Sequence, residues 1–145
     1  MRMLLDTNIL ARAAAGPPGP AHDLLLAATQ QFHSLIVSPF LIAELGRVLR
    51  YQRLRPLHGM TDDEIDEFVA DLILVADVVD AKLPAVAISP DPDDDPILAA
   101  AQAGRAQVIC TLDRHLLQPG VKDFCAAHGI EVLSDLELLA RLRSV

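Results

Sequence analysis

Short apolar runs alternate along the chain with longer stretches in which apolar residues recur every three or four positions. The short runs predict buried strands at residues 2–5, 34–38, 106–111 and 130–134. The longer stretches predict helices at 8–16, 21–32, 39–54, 61–76, 95–104, 121–129 and 135–144. Residues 77–90 are ambiguous and predict short extended segments, and residues 113–120 predict a turn and a short helix.

The order of these elements predicts the fold class. Apolar strands that alternate with helices are typical of a mostly parallel sheet with both faces covered. We therefore expect an α/β fold, a three-layer α/β/α sandwich with a mostly parallel central sheet of four to five strands. The 145 residues suit a single domain, residues 1–145, with one sizeable core.

Capping residues mark several of the predicted helix boundaries. Ser38 followed by Pro39 predicts the start of a helix. Thr61, with Glu64 three residues further on, predicts a capping box. Pro56 predicts the end of the helix that Ser38 caps. Glycines after helical stretches predict three further ends, at Gly16, Gly104 and Gly129.

Composition narrows the class of protein. Hydrophobic residues make up 52% of the chain, which predicts a packed globule, and no apolar run approaches the roughly 18 residues of a membrane span. Asp6 interrupts the apolar N-terminal run at once, unlike the core of a signal peptide. We therefore expect a cytoplasmic protein without a membrane partner. Cys110 and Cys125 lie in apolar contexts and predict buried thiols.

The charge limits how the protein could meet nucleic acid. A formal net charge of −8 argues against broad nonspecific binding, which depends on basic surface. Aromatic residues are 3% of the chain and Trp is absent, so a platform for base stacking is not expected. An enzyme that acts on phosphodiesters is still compatible with this charge, because divalent cations bound by carboxylates would cancel it locally.

Two acidic residues directly follow predicted strands. Asp6 follows strand 2–5, and Asp113 follows strand 106–111. In open α/β sheets ligands bind at the carboxyl ends of the strands, so these carboxylates are expected at one edge of the sheet. Each Asp is also a good helix cap, and capping alone would explain either residue.

A third acidic residue borders an apolar helix face. At about 100° per residue, Glu44 lies within about 60° of Leu41 on the stripe that must face the sheet. Burying an unpaired carboxylate there would be costly. Glu44 therefore either reaches solvent, pairs with an arginine, or points along the sheet edge into a charged cavity.

Four aspartates crowd the stretch before the helix at 95–104. Asp95 precedes Pro96 and is positioned to cap that helix, but a cap needs only one acceptor oxygen. Asp91, Asp93 and Asp94 then form either a solvated acidic turn or part of a site for a cation. A bound Mg²⁺ or Mn²⁺ would turn the repulsion among these charges into attraction.

Four motifs occur together in a fixed order: LLDTN, SPFLIAEL, DPDDDPILAAA and VICTLDRHLL. In this combination the chain resembles a PIN domain, and more narrowly the PIN-family toxins of bacterial toxin–antitoxin systems. The resemblance covers about residues 2–137. It implies a compact α/β/α sandwich around a parallel sheet and a divalent-metal-dependent endoribonuclease that cleaves RNA. It further implies restraint by a cognate antitoxin protein and pairing into a homodimer.

The resemblance also implies a set of site residues. The four acids of the family match Asp6, Glu44, Asp95 and Asp113, which would bind Mg²⁺ or Mn²⁺ and activate water for attack on phosphorus. The supporting polar residues match Asn8 and Thr111, and Asp94 adjoins the third acid closely enough to take its place. The family often has Gly between the last Thr and Asp, where this chain has Leu112.

Cationic residues near the acids are candidates for phosphate contacts. Arg114 directly follows the fourth acid, and Arg47 and Arg50 belong to a cluster at the end of the Glu44 helix. That cluster continues through residues 53 and 55. A solvated helix face is the preferred interpretation of the cluster, and binding of RNA phosphates or of an acidic antitoxin segment is the alternative.

Two other functions are compatible with the pattern. A catalytically silent PIN-like module would bind RNA or protein and would be expected to lack some of the four acids, all of which are present. A receiver-type phosphorylatable domain also combines an α/β fold with clustered aspartates. Such a domain needs a lysine after a late strand, and the only lysines are Lys82 and Lys122.

Overall fold

The computed structural model describes residues 1–15, 18–81 and 95–144. Its strands are β1 Arg2–Leu5, β2 Ser34–Val37, β3 Asp77–Val78, β4 Val108–Cys110 and β5 Glu131–Leu133. Its helices are α1 Thr7–Ala15, α2 Pro20–Ala28, α3 Pro39–Leu49, α4 Arg55–His58, α5 Asp62–Val75, α6 Asp95–Ala103, α7 Pro119–Ala127 and α8 Asp135–Arg143.

The strands form one parallel sheet in the order β3-β2-β1-β4-β5. In the register of the central strands, Met3 is paired with Leu35 on one side and with Val108 on the other. The side chains of β1, β2 and β4 are almost entirely buried, as expected for a parallel sheet with both faces covered. The prediction of an α/β fold with a parallel sheet is confirmed.

The connections divide the helices between the two faces. From β1 the chain steps to β2 and β3 on one side, and then returns to β4 and β5 on the other side. Parallel crossovers are right-handed, so the face on which a connecting helix packs depends on the direction in which the chain crosses the sheet. The connections from β1 to β3 cross in one direction and those from β3 to β5 in the other, so α1–α5 and α6–α7 lie on opposite faces. The final helix, α8, packs on α2 and so belongs to the first face. The result is a three-layer sandwich.

Helix caps lie where the sequence predicted them. The Ser38 hydroxyl accepts a hydrogen bond from the Leu41 N–H at 3.2 Å and begins α3. Thr61 and Glu64 form both bonds of a capping box at the start of α5. Gly129 adopts a φ of 74° after α7, which confirms it as a helix stop. Gly16 lies outside the described residues.

The prediction of one helix over residues 39–54 is wrong. The helix ends at Leu49, and a separate short helix, α4, begins at Arg55 and contains Pro56. The Tyr51 N–H donates to the Val48 carbonyl, three residues back, which tightens the chain into a turn. Proline lacks an N–H and fits the first turn of a helix, so a new helix starts around Pro56.

Other boundaries shift by a few residues. The helix predicted to reach residue 32 ends at Ala28, where the Gln30 N–H donates to the Ala27 carbonyl three residues back and tightens the chain into a turn. The helix predicted from residue 121 begins at Pro119 instead, since proline favours the first helical position. Strand β4 covers only the centre of the predicted run 106–111.

Both predicted thiols are buried. Cys110 and Cys125 are free and fully enclosed in the core. Burial raises the pKa of Cys110 to about 12 and that of Cys125 to about 11, so neither is ionised near neutral pH. Among the described residues, no helix combines the length and apolarity that crossing a bilayer requires.

Gly104 ends α6 for a packing reason. The left-handed residue at this helix end is Arg105, with a φ of 53°, and the Ala106 N–H donates to the Ala101 carbonyl. A Cβ placed on Gly104 would lie 2.6 Å from Cγ2 of Ile36, a buried residue of β2. The absence of a side chain therefore lets α6 approach the sheet closely.

We expect Gly104→Ala to destabilise the protein by about 1–3 kcal/mol, because neither Ile36 nor the adjacent backbone can yield. Gly120→Ala is the matched control, since a Cβ on Gly120 in α7 meets nothing within 4 Å. That change should be neutral, or stabilising by up to about 1 kcal/mol. Urea unfolding of both variants measures the difference. Equal stability of the two variants would contradict this packing account.

Candidate active site

The sheet order creates a switch point between β1 and β4. The chain leaves β1 toward one face and leaves β4 toward the other, so the connections diverge beyond the carboxyl ends of these neighbours. Divergence of this kind opens a crevice in which α/β proteins bind ligands. The Asp6 N–H donates to the Cys110 carbonyl at 2.9 Å, which brings the two strand ends together at this point.

Asp6 is a buried carboxylate at the switch point, 7% exposed. Its Oδ1 accepts from the Thr7 N–H at 2.7 Å, and its Oδ2 accepts from the Thr111 hydroxyl at 2.8 Å. Burial raises the pKa of Asp6 above its ordinary value, these hydrogen bonds lower it, and the charges of Glu44 and Asp113 raise it further. Asp6 thus lies within the electrostatic influence of two other predicted site acids.

Thr111 connects the ends of β1 and β4. Its fully buried hydroxyl donates to Asp6 and accepts from the Asp113 N–H at 2.9 Å. Asp113 in turn accepts from the His115 N–H at 2.9 Å through Oδ1. One threonine therefore fixes the positions of two acids that are far apart in the sequence.

Asn8 and Leu112 complete the turn after β4. The Leu112 N–H donates to Oδ1 of Asn8 at 3.4 Å, a long hydrogen bond from the first turn of α1. Leu112 does not have a positive φ, and its side chain packs against the core. The departure from the family's glycine therefore imposes no backbone strain next to Asp113.

Glu44 lies on the wall of the same cavity as the two strand-end acids. The cavity has a volume of about 170 Å³ and is lined by Asp6, Thr7, Asn8, Glu44, Val48, Ile97 and Asp113. Within the residues that the structure describes, Glu44 forms no ion pair, so it is not held by an arginine. Of the alternatives for Glu44, the structure shows the one in which it faces a charged cavity.

Asp95 is buried at the start of α6, 5% exposed. It is the first residue of the helix rather than the residue before it, one position from the predicted cap. Ile97, two residues further on, lines the acidic cavity. Asp91, Asp93 and Asp94 lie outside the described residues.

The donor set suits a hard divalent cation. Carboxylate oxygens are the ligands that Mg²⁺ and Mn²⁺ prefer. In the described part of the chain, no three acidic, histidine or cysteine side chains converge closely enough to hold an ion as they stand. Like charges without a cation between them repel, which favours separated positions. The residues fit such an ion by their chemistry: Asp6, Glu44 and Asp113 would hold it, and waters would complete its coordination.

The predicted phosphate contacts differ in their surroundings. Arg50 is engaged with α5, where it pairs with Asp66 at 2.6 Å and with Asp62 at 3.3 Å. Arg47 is exposed and lines a groove between α3 and α5. Arg114 is exposed immediately beyond Asp113. Arg114 is therefore the member of this set that directly follows a strand-end acid in the chain.

A larger cleft adjoins the acidic cavity and shares Asn8 and Val48 with it. Its volume is about 730 Å³, and its walls include the cationic side chains Arg12 and Arg53. Neither arginine forms an ion pair within the described residues. Sequence reasoning missed Arg12, although it lies four residues after Asn8 and so on the same face of α1.

Comparison with known proteins identifies the family. The profile of the PIN domain matches residues 2–115. The fold is similar to that in the crystal structure of VapBC2 from Rickettsia felis bound to a DNA fragment from their promoter. The TM-score is 0.60, and the sequence identity is 13% over 92% of this chain and 98% of that chain. The fold is also similar to that of PAE2754 from Pyrobaculum aerophilum. The TM-score is 0.61, and the sequence identity is 19% over 100% of this chain and 91% of that chain. No curated protein matches the chain.

The raised pKa of Asp6 predicts a pH dependence of stability in metal-free protein. In the folded state the Asp6 carboxyl holds its proton more tightly than in the unfolded chain, where its pKa has the ordinary value of 3.8. The contribution of protonated Asp6 to the free energy of unfolding is therefore fully present below about pH 4, and it is lost as the pH rises through the pKa of Asp6 in the folded state. Asp6→Asn removes this dependence and keeps an acceptor for the Thr7 N–H.

Urea unfolding in EDTA from about pH 4 to about pH 7 measures this effect. The free energy of unfolding of the wild type, relative to that of Asp6→Asn, should fall as the pH rises and then become constant. Asp123→Asn, at an exposed position of α7, is the control and should follow the wild type. A constant difference between wild type and Asp6→Asn at every pH would contradict a raised pKa at Asp6.

Proposed function

Because the chain belongs to the PIN domain family, we propose that it is a divalent-metal-dependent endoribonuclease and the toxin of a toxin–antitoxin pair. The observation that carries the proposal is that Asp6, Glu44 and Asp113 line one cavity at the switch point of the sheet. Three acidic residues from distant parts of the sequence face this one cavity, although their mutual repulsion disfavours it. A site that gathers like charges at an energetic cost is typical of catalytic centres.

The cofactor of this proposal is Mg²⁺ or Mn²⁺, bound by Asp6, Asp113, Glu44 and Asp95. When bound, such an ion supplies Lewis-acid activation of water and neutralises charge that develops on phosphate. Thr111 orients Asp6 and Asp113 relative to each other through its two hydrogen bonds. This part of the site needs no covalent nucleophile from the protein.

The substrate of this proposal is RNA, approached through the cleft beside the acids. Arg12 and Arg53 on the cleft wall, together with exposed Arg114, offer cations to phosphates that flank the scissile bond. They provide local positive charge on a chain whose formal net charge is −8. A strand is thereby attracted to the site rather than to the protein surface at large.

The alternatives have less support. A silent binding module has no need to gather three acids around one cavity. A receiver-type domain would need a lysine after a late strand, but Lys122 lies within α7 and Lys82 falls outside the described residues. The family match supports a PIN domain over a receiver-type domain.

Cleavage of an RNA panel tests the proposed activity. We expect products with Mg²⁺ or Mn²⁺ and none in EDTA. Asp6→Asn, Glu44→Gln and Asp113→Asn should each lower the rate on the order of 100-fold, since each removes charge that holds the ion. Asp123→Asn is again the control and should cleave at the wild-type rate. Undiminished cleavage in EDTA would contradict a metal-dependent mechanism.

The same assay decides which residue is the third acid. Asp95→Asn should abolish most cleavage while preserving α6, because Asn is also accepted at helix N-termini. Asp94→Asn should have a smaller effect. If the two results are reversed, the third acid is Asp94.

The partner proposal predicts inhibition by a small antitoxin protein encoded beside this chain. The resemblance of the four motifs to toxins and the similarity of the fold to VapBC2 support it. Adding the purified neighbour should stop cleavage at equimolar ratio, and sedimentation should show this chain alone as a homodimer. A neighbour that neither binds nor inhibits would remove the antitoxin, and a monomer at micromolar concentrations would remove the homodimer.

A further inference from the structure

The hydroxyl of Thr7 has no hydrogen-bond partner among the described residues, although Thr7 is only 4% exposed. Buried polar groups are almost always hydrogen-bonded, because an unpaired one loses its interactions with water and gains nothing in return. Thr7 lines the acidic cavity together with Asp6, Glu44 and Asp113. Thr7 therefore belongs to the wall of the candidate site, and its unpaired hydroxyl is buried there.

The local backbone explains why the protein itself does not satisfy this hydroxyl. A threonine inside a helix commonly donates to the carbonyl three or four residues before it. Thr7 is the first residue of α1, so the residues before it belong to β1 and to Asp6 instead of a preceding helical turn. Its N–H is already used, as the donor to Oδ1 of Asp6 at 2.7 Å.

Packing alone does not explain a threonine here. Valine has nearly the same shape, prefers burial, and would leave no polar atom unpaired. A hydroxyl at this position gains a partner when an oxygen-bearing ligand enters the cavity and reaches it. The carboxylates of the cavity limit such a ligand to something cationic or hydrated by a cation.

We propose that Thr7 is a positioning residue of the metal centre, whose hydroxyl hydrogen-bonds a water carried by the divalent cation that Asp6, Glu44 and Asp113 hold. The proposal rests on the cation site of the proposed function, and not on RNA being the substrate. The cavity volume of about 170 Å³ leaves room for about five waters at the ~30 Å³ that each takes in the liquid. Thr7 would orient a ligand of the ion as partners beyond the direct ligands commonly do.

A calorimetric titration of Mn²⁺ into the full chain, without RNA, tests this role. Thr7→Val should weaken Mn²⁺ binding by about 10-fold, because it removes the hydroxyl and keeps the shape. Thr7→Ser keeps the hydroxyl and should bind within about 2-fold of the wild type. Thr29→Val, at an exposed threonine in the turn after α2, is the control and should bind as the wild type does.

Thermal unfolding in EDTA supplies the second readout. Metal-free Thr7→Val should unfold at a temperature equal to or above that of the wild type, since it loses an unpaired buried hydroxyl. Unchanged or higher stability together with weaker Mn²⁺ binding would show that the Thr7 hydroxyl serves ion binding and does not stabilise the fold. If Thr7→Val does not fold, Thr7→Ala carries the same comparison against Thr7→Ser.

Three outcomes would overturn the proposal: Mn²⁺ binding by Thr7→Val that equals the wild type, equal weakening in Thr7→Ser and Thr7→Val, or a wild type that binds no Mn²⁺. If the first outcome is accompanied by weakened RNA binding, the hydroxyl contacts phosphate and not a water of the cation. A wild type that binds Mn²⁺ through Thr7 but cleaves no RNA would support this inference and refute only the proposed activity.

Discussion

The hydrogen bond from the Thr111 hydroxyl to the buried carboxylate of Asp6 joins the ends of the two strands at the switch point. Thr111 also accepts from the Asp113 N–H, so one side chain sets the relative positions of two acids. The parallel order of the sheet makes this contact possible, because it places two residues that are 105 positions apart directly after the ends of neighbouring strands. The geometry of the candidate site is thus a direct consequence of strand order.

The fold tolerates this concentration of negative charge through local compensation. Asp6 immediately precedes α1, where the positive end of the helix dipole and the Thr7 N–H favour a carboxylate. Asp95 occupies the equivalent end of α6. Burial and the charges of Glu44 and Asp113 nevertheless raise the pKa of Asp6. The metal-free protein therefore retains an electrostatic cost at this edge of the sheet that a bound cation would relieve.

Local sequence signals were sufficient for β1, β2, β4 and β5, for the caps at Ser38 and Thr61, and for the strand-end acids, because each depends on neighbours within a few positions. The end of α3 was not predictable in this way, since the apolar pattern continues past Leu49 while the backbone tightens at Tyr51. The roles of Thr7 and Arg12 depend on which side chains surround one cavity and one cleft, and periodicity does not report that. The packing role of Gly104 likewise depends on Ile36, 68 positions away.

Anomalous diffraction from crystals grown with Mn²⁺ tests the central claim most directly, because it locates the ion without reference to activity. The account predicts the strongest anomalous peak in the cavity of Asp6, Glu44 and Asp113, with the three side chains drawn toward it. The Asp113→Asn variant should lose most of that peak. A cavity that holds no Mn²⁺, with the ion bound elsewhere or not at all, would contradict the account.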